Sequence, residues 1–438
     1  MHPIMPFHGA HLVCLMILSC VFSGSAWASQ QDGISSEEQV LRLRAPWALR
    51  AVDYGTFPPD SIRVVSDGDR GQAERLLQRV RLVRELSARW FGGFPLRRPD
   101  APRLLVFERP EDMLFTLRTD LAVRMPRLPA LAVLRSDGPD LAVTTGYASE
   151  LGLERAVQRE AFLQFLMPRC AGTLPPWARY GLAECFGAML VHGGRLGHGH
   201  QPPDLVAPLT KAHLGERLVP FDRLIRLDEA GWDHFESVHG AALMRSQAWS
   251  LVQFLLHGGT EDLARRFLRW VELACAGNDP VDSLESVLST MPGGASLEEL
   301  GAAWRNTLAG LEPGALHLAI ERAELLRACL EEIEAEGLRP ADPVALMKLI
   351  ADRDEVRHVM RSGLFSSSLS SHRQGWLDPS VLEFIAPVVR GGQVASDAIP
   401  PPEVWIRAVD GWDLGVTWAR IPDRSRWFPR VERRPTRR

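Results

Sequence analysis

The apolar periodicity of this 438-residue chain changes near residue 150, and that break limits the open folds more than any other feature. Ahead of it, short alternating runs interleave with helical stripes. Ser61-Ile62-Arg63-Val64-Val65 and Arg103-Leu104-Leu105-Val106-Phe107 read as strands. Between them, Leu76, Leu77, Val80, Leu82, Val83, Leu86 and Trp90 recur at helical spacing within Gly71 to Phe91. Pro110 opens a short helix, since proline is tolerated in a first turn. Leu131 to Arg135 and Leu141 to Thr145 flank Ser136-Asp137-Gly138-Pro139-Asp140 and read as a hairpin. Behind the break, the chain to about Glu312 is mostly helical. The helices expected there cover Leu153 to Met167, one opened by Leu174-Pro175-Pro176 and running to about Val191, Ala241 to Leu256, Glu261 to Ala274 and Leu297 to Leu308. His192 to Gln201, rich in glycine and histidine, reads as a loop.

The expected fold is therefore α+β. A small N-terminal α/β sheet domain (29–150) precedes a helical domain (151–312) and a C-terminal region (313–438). Residues 29 to 60 read as a lead-in with a short helix. Ala315 to Gly337 and Pro343 to Ile350 are further helices, and Ser366 to Ser371 is a serine-rich loop. Val404 to Val409 and Trp412 to Ile421 flank Asp410-Gly411, a hairpin signal. The last nineteen residues carry eight arginines interleaved with Trp427 and Phe428. That tail suits an anionic envelope surface, but a solvated, disordered tail is the simpler expectation.

Leu12 to Phe22 is an apolar run of signal-peptide length, followed by Ala26-Trp27-Ala28, a small-x-small cleavage site. Residues 1–28 are thus expected to be a leader and the chain to be secreted or periplasmic. Ile17-Leu18-Ser19-Cys20 is a poorer match, to a lipobox, which would anchor the chain through Cys20. No later stretch reaches the ~18 apolar residues a membrane span requires. The formal net charge of −4 favours no particular partner, and an exported chain gives no reason to expect nucleic acid. Cys170, Cys185, Cys275 and Cys329 lie beyond the leader and form no CxxC. Three disulfide pairings are open to them, Cys170 with Cys185 being the pair closest in sequence; buried free thiols are an equal alternative.

One segment bears on chemistry. Glu154 to Gly187 reads ERAVQREAFLQFLMPRCAGTLPPWARYGLAECFG. Its second half, Leu174-Pro175-Pro176-Trp177 followed by Gly181-Leu182-Ala183-Glu184-Cys185-Phe186, resembles the active-site region of the peptidase-MA-like gluzincin metallopeptidases. Downstream, Gln247 to Leu255 and Leu297 to Trp304 are similar to later helices of that family, so the resemblance covers roughly residues 60 to 310. In such enzymes two histidines at i and i+4 and a glutamate from the next helix hold zinc, and the residue after the first histidine is the general base. Carried over position by position, the three ligand places are occupied here by Arg159, Leu163 and Tyr180, and Glu160 stands at the general-base place. Arginine does not deprotonate, leucine has no donor and neutral tyrosine is a poor ligand. The resemblance therefore implies a degenerate member with no metal, no cofactor and no peptidase activity. Met244 and Arg245 stand where the family often has a tyrosine.

The resemblance also implies a groove in which an extended peptide adds beside an edge strand. Leu141 to Thr145 is the candidate strand, through Leu141, Val143 and Thr145. A peptide-binding or structural role follows, with an active hydrolase using other residues as the alternative. Arg159 is placed to neutralise Glu160 and Glu184 in the metal's stead. His192, His198 and His200 invite a replacement metal site, but their spacing fits no helix face. No G-x-S-x-G is present, and Cys170 and Cys185 have no readable histidine partner.

Overall fold

The computed structural model describes residues 51–57, 61–121, 129–136, 138–145, 150–170, 174–192, 195–258, 261–289, 296–338, 343–351, 382–385, 403–409, 412–420 and 427–435. The leader, the lipobox cysteine, the serine-rich loop and Asp410-Gly411 lie outside these residues. In chain order the first elements are β1 (Val52–Phe57), β2 (Ile62–Ser66), α1 (Arg70–Phe91), β3 (Arg103–Phe107), α2 (Pro110–Leu121), β4 (Ala130–Leu134) and β5 (Pro139–Thr144). Then come α3 (Glu150–Leu166), α4 (Pro176–Gly187), β6 (Leu190–His192), β7 (Arg195–Gly197), α5 (Pro203–Leu214), α6 (Phe221–Leu224) and α7 (Glu229–His239). They are followed by α8 (Ala241–Gln253), a π turn (Phe254–Gly258), α9 (Glu261–Cys275), α10 (Pro280–Ser289) and α11 (Leu297–Leu308). The last are α12 (Ala315–Ala335), α13 (Pro343–Ala351), β8 (Leu382–Ile385), β9 (Glu403–Val409), β10 (Trp412–Arg420) and β11 (Trp427–Pro435). This is a mixed α+β architecture. Among the described residues no helix is long and apolar enough to cross a membrane.

Contacts divide the chain into two units, each discontinuous in sequence. The first comprises 1–147, 156–175 and 265–294; the second comprises 148–155, 176–264 and 295–438. The chain changes unit inside α3 and again inside α9.

The first unit is built on a five-stranded sheet of order β1-β2-β3-β5-β4. β2, β3 and β5 run parallel, while β1 and β4 pair antiparallel at the two edges. Helix α1 buries Ala73, Leu76, Leu77, Val80 and Val83, the i, i+3, i+4, i+7 stripe expected of a helix lying on a core. The Asp69 side chain caps it by accepting from the Gln72 N–H at 2.9 Å. Met113 and Leu117 of α2 pack on Phe107 and Ala142. Each of the valine, leucine, methionine and phenylalanine side chains among these contributes about 1.5–3 kcal/mol by leaving water. Within this unit α3 buries almost every side chain from Ala156 to Leu166. Its Gln164 amide donates to the carbonyls of Arg103 (2.9 Å) and Pro139 (3.2 Å), tying the helix to β3 and β5. Past its end, Arg84 and Arg169 share the Asp100 carboxylate at 3.1 Å each, and the Arg169 guanidinium lies 3.9 Å from the Phe165 ring. Burial pulls Arg169 below its ordinary pKa, with Asp100 opposing. Cys170 is joined to Cys275, which settles the pairing that the sequence left open. Cys185 and Cys329 are buried thiols outside any disulfide.

In the second unit α4 packs on α8 at a backbone approach that only glycine allows. A Cβ on Gly181 would lie 2.4 Å from the Ala248 carbonyl oxygen. Ser250 Oγ, on α8, accepts from Trp304 Nε1 of α11 at 3.2 Å. A separate core gathers α12, through Ala323, Leu326, Cys329 and Leu330, with Leu346 of α13 and Val404, Ile406, Leu414 and Val416 of β9 and β10. These strands belong to a four-stranded antiparallel sheet of order β11-β10-β9-β8.

Several local expectations need correction. Val52–Phe57, in the expected helical lead-in, is a strand paired with β2. α4 stops at Gly187, because Leu190–His192 leaves to pair with Arg195–Gly197. The stretch from His192 to Gln201 therefore contains a strand and is not a plain loop. The hairpin of β9 and β10 forms as expected, but the arginine-rich tail is not free. Trp427–Pro435 is a third strand, with Val431 opposite Val416 and packed against the core.

Candidate functional site

Helix α3 places Arg159, Glu160 and Leu163 in the first unit; helix α4 places Tyr180 and Glu184 in the second. In the first unit, the Arg159 and Glu160 side chains are only 10 % and 7 % exposed. Adjacent helical residues do not normally face each other. The arginine nevertheless bends back so that its Nε donates to Glu160 Oε1 at 3.0 Å. The other oxygen, Oε2, accepts the Ala132 backbone N–H at 3.0 Å.

Ala132 is in β4, the edge strand. Arg135 N–H donates to Gly138, and Thr144 N–H to Pro129, across the β4–β5 ladder. An antiparallel ladder alternates, so Ala132, three residues before Arg135, directs its N–H away from β5. Glu160 thus caps a donor of the open edge and binds an arginine with its second oxygen. Leu163 is half-buried and offers no donor.

The candidate peptide-binding residues Leu141, Val143 and Thr145 are not at an edge. β5 is paired on both sides, to β3 and β4, and Leu141 and Val143 are fully buried. Thr145 donates through Oγ1 to the Phe107 carbonyl. The strand that closes this side of the sheet is β4. Strand order put the error there: the hairpin turn was readable, but not which of its two arms pairs with β3.

In the second unit the Tyr180 ring lies 5.1 Å from that of Trp232 and beneath the Arg179 guanidinium at 4.7 Å. Arg179 is itself held by both oxygens of Glu229, at 2.8 and 2.9 Å. Burial raises the Tyr180 pKa above its ordinary value, although Arg179 works against it. The group at this ligand place is therefore a neutral phenol at neutral pH. Glu184 is buried, with Arg245 Nη1 3.9 Å away, a wide ion pair whose arginine side chain is 34 % exposed. Met244 is fully buried. Arg159 pairs with Glu160; within its own unit, Glu184 has Arg245 nearby. Burial also pushes the Cys185 thiol up, which suits an inert core sulfur.

The histidines behind β7 part company. His198 stacks on His257, and His200 packs on His317. Among the described residues, no three His, Cys, Asp or Glu side chains are grouped to hold a metal ion. His257 and His317 carry no motif, and only the fold reveals them as neighbours of the earlier histidines. No family model matches the sequence, and no curated protein does either.

Proposed function

We propose that this chain is an exported, degenerate relative of the gluzincin metallopeptidases, one that has lost zinc and peptidase activity and serves a peptide-binding or structural role. One observation supports this reading above the others: the Glu160 carboxylate is buried between the Arg159 guanidinium and the Ala132 N–H. A general base must hold a water against the metal. A glutamate bound at both oxygens to an arginine and the main chain serves a structural purpose instead. The residues at the three ligand places agree with this. They are a buried cation, an alkyl group and a phenol kept neutral by burial. The disulfide of Cys170 and Cys275 fits an oxidising compartment, in line with the leader in the sequence.

A peptidase assay on the full chain, with and without added zinc and chelator, tests the reading. The expected result is no cleavage above the buffer rate under any condition. Chelator-sensitive cleavage that disappears in Glu160→Gln would refute it and favour an active hydrolase.

A further inference from the structure

Four histidines of the second unit meet in two pairs around one short segment. After β7 the chain runs through His198, Gly199 and His200 to Gln201. His198 stacks face to face on His257 of the π turn, with centroids 4.8 Å apart and planes within 7°. His200 tilts over His317 of α12 at 5.2 Å. The Gln201 carbonyl accepts the Gly314 N–H, just ahead of α12, at 2.9 Å. His317 is 3 % exposed, and its Nε2 lies 3.1 Å from the Ala188 carbonyl oxygen. Ala188 directly follows α4, the helix that carries Tyr180 and Glu184. One imidazole thus ties the end of α4 to α12, and its neighbour ties down the segment between them.

The contact with Ala188 requires Nε2 to carry the hydrogen, which leaves Nδ1 as the bare nitrogen. Nδ1 is buried and makes no hydrogen bond. A proton there would have no acceptor. The charged groups facing His317 add to the penalty: Arg155 of α3 repels a proton, as does His200, and Asp204 of α5 is already paired with Arg155. His257 faces His198, and two stacked imidazoles cannot both become cations without repulsion. That pair is exposed to solvent, which softens its repulsion, so His317 carries the larger effect.

We propose that this quartet is an acid-sensitive latch: neutral imidazoles hold the 197–201 segment and the end of α4 on α12, and protonation releases them. Burial first, then Arg155 and His200, lower the His317 pKa to about 3; burial and His198 lower that of His257 to about 4, both from 6.5. The latched pKa values lie below the released ones, so the sign is fixed. Above pH ~6.5 both forms are neutral and the latch is pH-independent. Below it the released form takes protons that the latched form refuses, and latching weakens as pH falls towards the latched values. By pH 5 a single such histidine shifts the equilibrium about 30-fold towards release. The latch is independent of the peptidase reading.

Hydrogen exchange of the full chain at pH 7.5 and 5.0, corrected for the intrinsic pH dependence of exchange, tests it. Peptides covering 188–201 and 313–320 should exchange at least ~10-fold faster at pH 5.0, while those of the five-stranded sheet stay unchanged. His317→Gln keeps an N–H for Ala188 but takes no proton, so it should lose most of that difference. Equal protection of the wild type at both pH values overturns the latch, as does a full pH difference in a folded His317→Gln. Should that variant not fold at pH 7.5, the double variant His198→Gln, His200→Gln decides: a smaller pH difference supports the latch, and an undiminished one overturns it.

Discussion

Removing the Glu160 carboxylate takes an ion-pair partner from Arg159 and the acceptor from the buried Ala132 N–H, and the cost of that falls on folding. Glu160→Ala should lower unfolding free energy by about 1–3 kcal/mol. Arg159→Met combined with Glu160→Gln should cost less than the sum of the single changes. It removes both charges together and keeps an acceptor for Ala132. Urea unfolding of the wild type, Arg159→Met, Glu160→Gln and the double variant checks the coupling. Gly181→Ala is a steric counterpart. Its Cβ would collide with the Ala248 carbonyl, so α4 must shift from α8 at about 1–3 kcal/mol, read in the same way. The pairing of Arg159 with Glu160 was suggested by a cation standing at a lost ligand place and not by adjacency, since neighbouring helical residues face apart. The Ala132 contact was not, because it joins residues 28 apart through the open side of a strand.

The helices α1, α3, α8, α11 and α12 were readable to within a few residues, α1 and α11 from a burial stripe, which is a local signal, and α3 and α8 in spite of being buried nearly all round. Strand order is not local. β5 looked as suitable for an edge as β4, and only the parallel pairing with β3 excludes it. The tail misled for a related reason: arginines dominate Trp427–Pro435, and Val431 alone does not announce a buried face. Deleting residues 427–438 should therefore destabilise the C-terminal layer and lower its melting temperature. Removal of a solvated tail would leave the melting temperature unchanged, and calorimetry separates the two. The disulfide acts between elements as well. It joins the chain just past α3 to the end of α9 across a sequence separation of 105. A loop of that length implies up to about 4–5 kcal/mol of stabilisation. Reduction, or Cys170→Ser with Cys275→Ser, should lower the thermal midpoint markedly. It should first loosen α9 and α10, which hydrogen exchange reads peptide by peptide.

At the scale of the whole molecule, the chain contributes three separate stretches to each unit and changes unit within α3 and within α9. The proposed loss of the metal concerns each by itself: Arg159 and Leu163 in one, Tyr180 in the other. Zinc content of the folded wild type, measured by mass spectrometry after incubation with zinc and dialysis, tests that loss most directly. The expected result is essentially no bound zinc, because arginine, leucine and a neutral phenol supply no ligand. A wild type that keeps about one zinc per chain would contradict it.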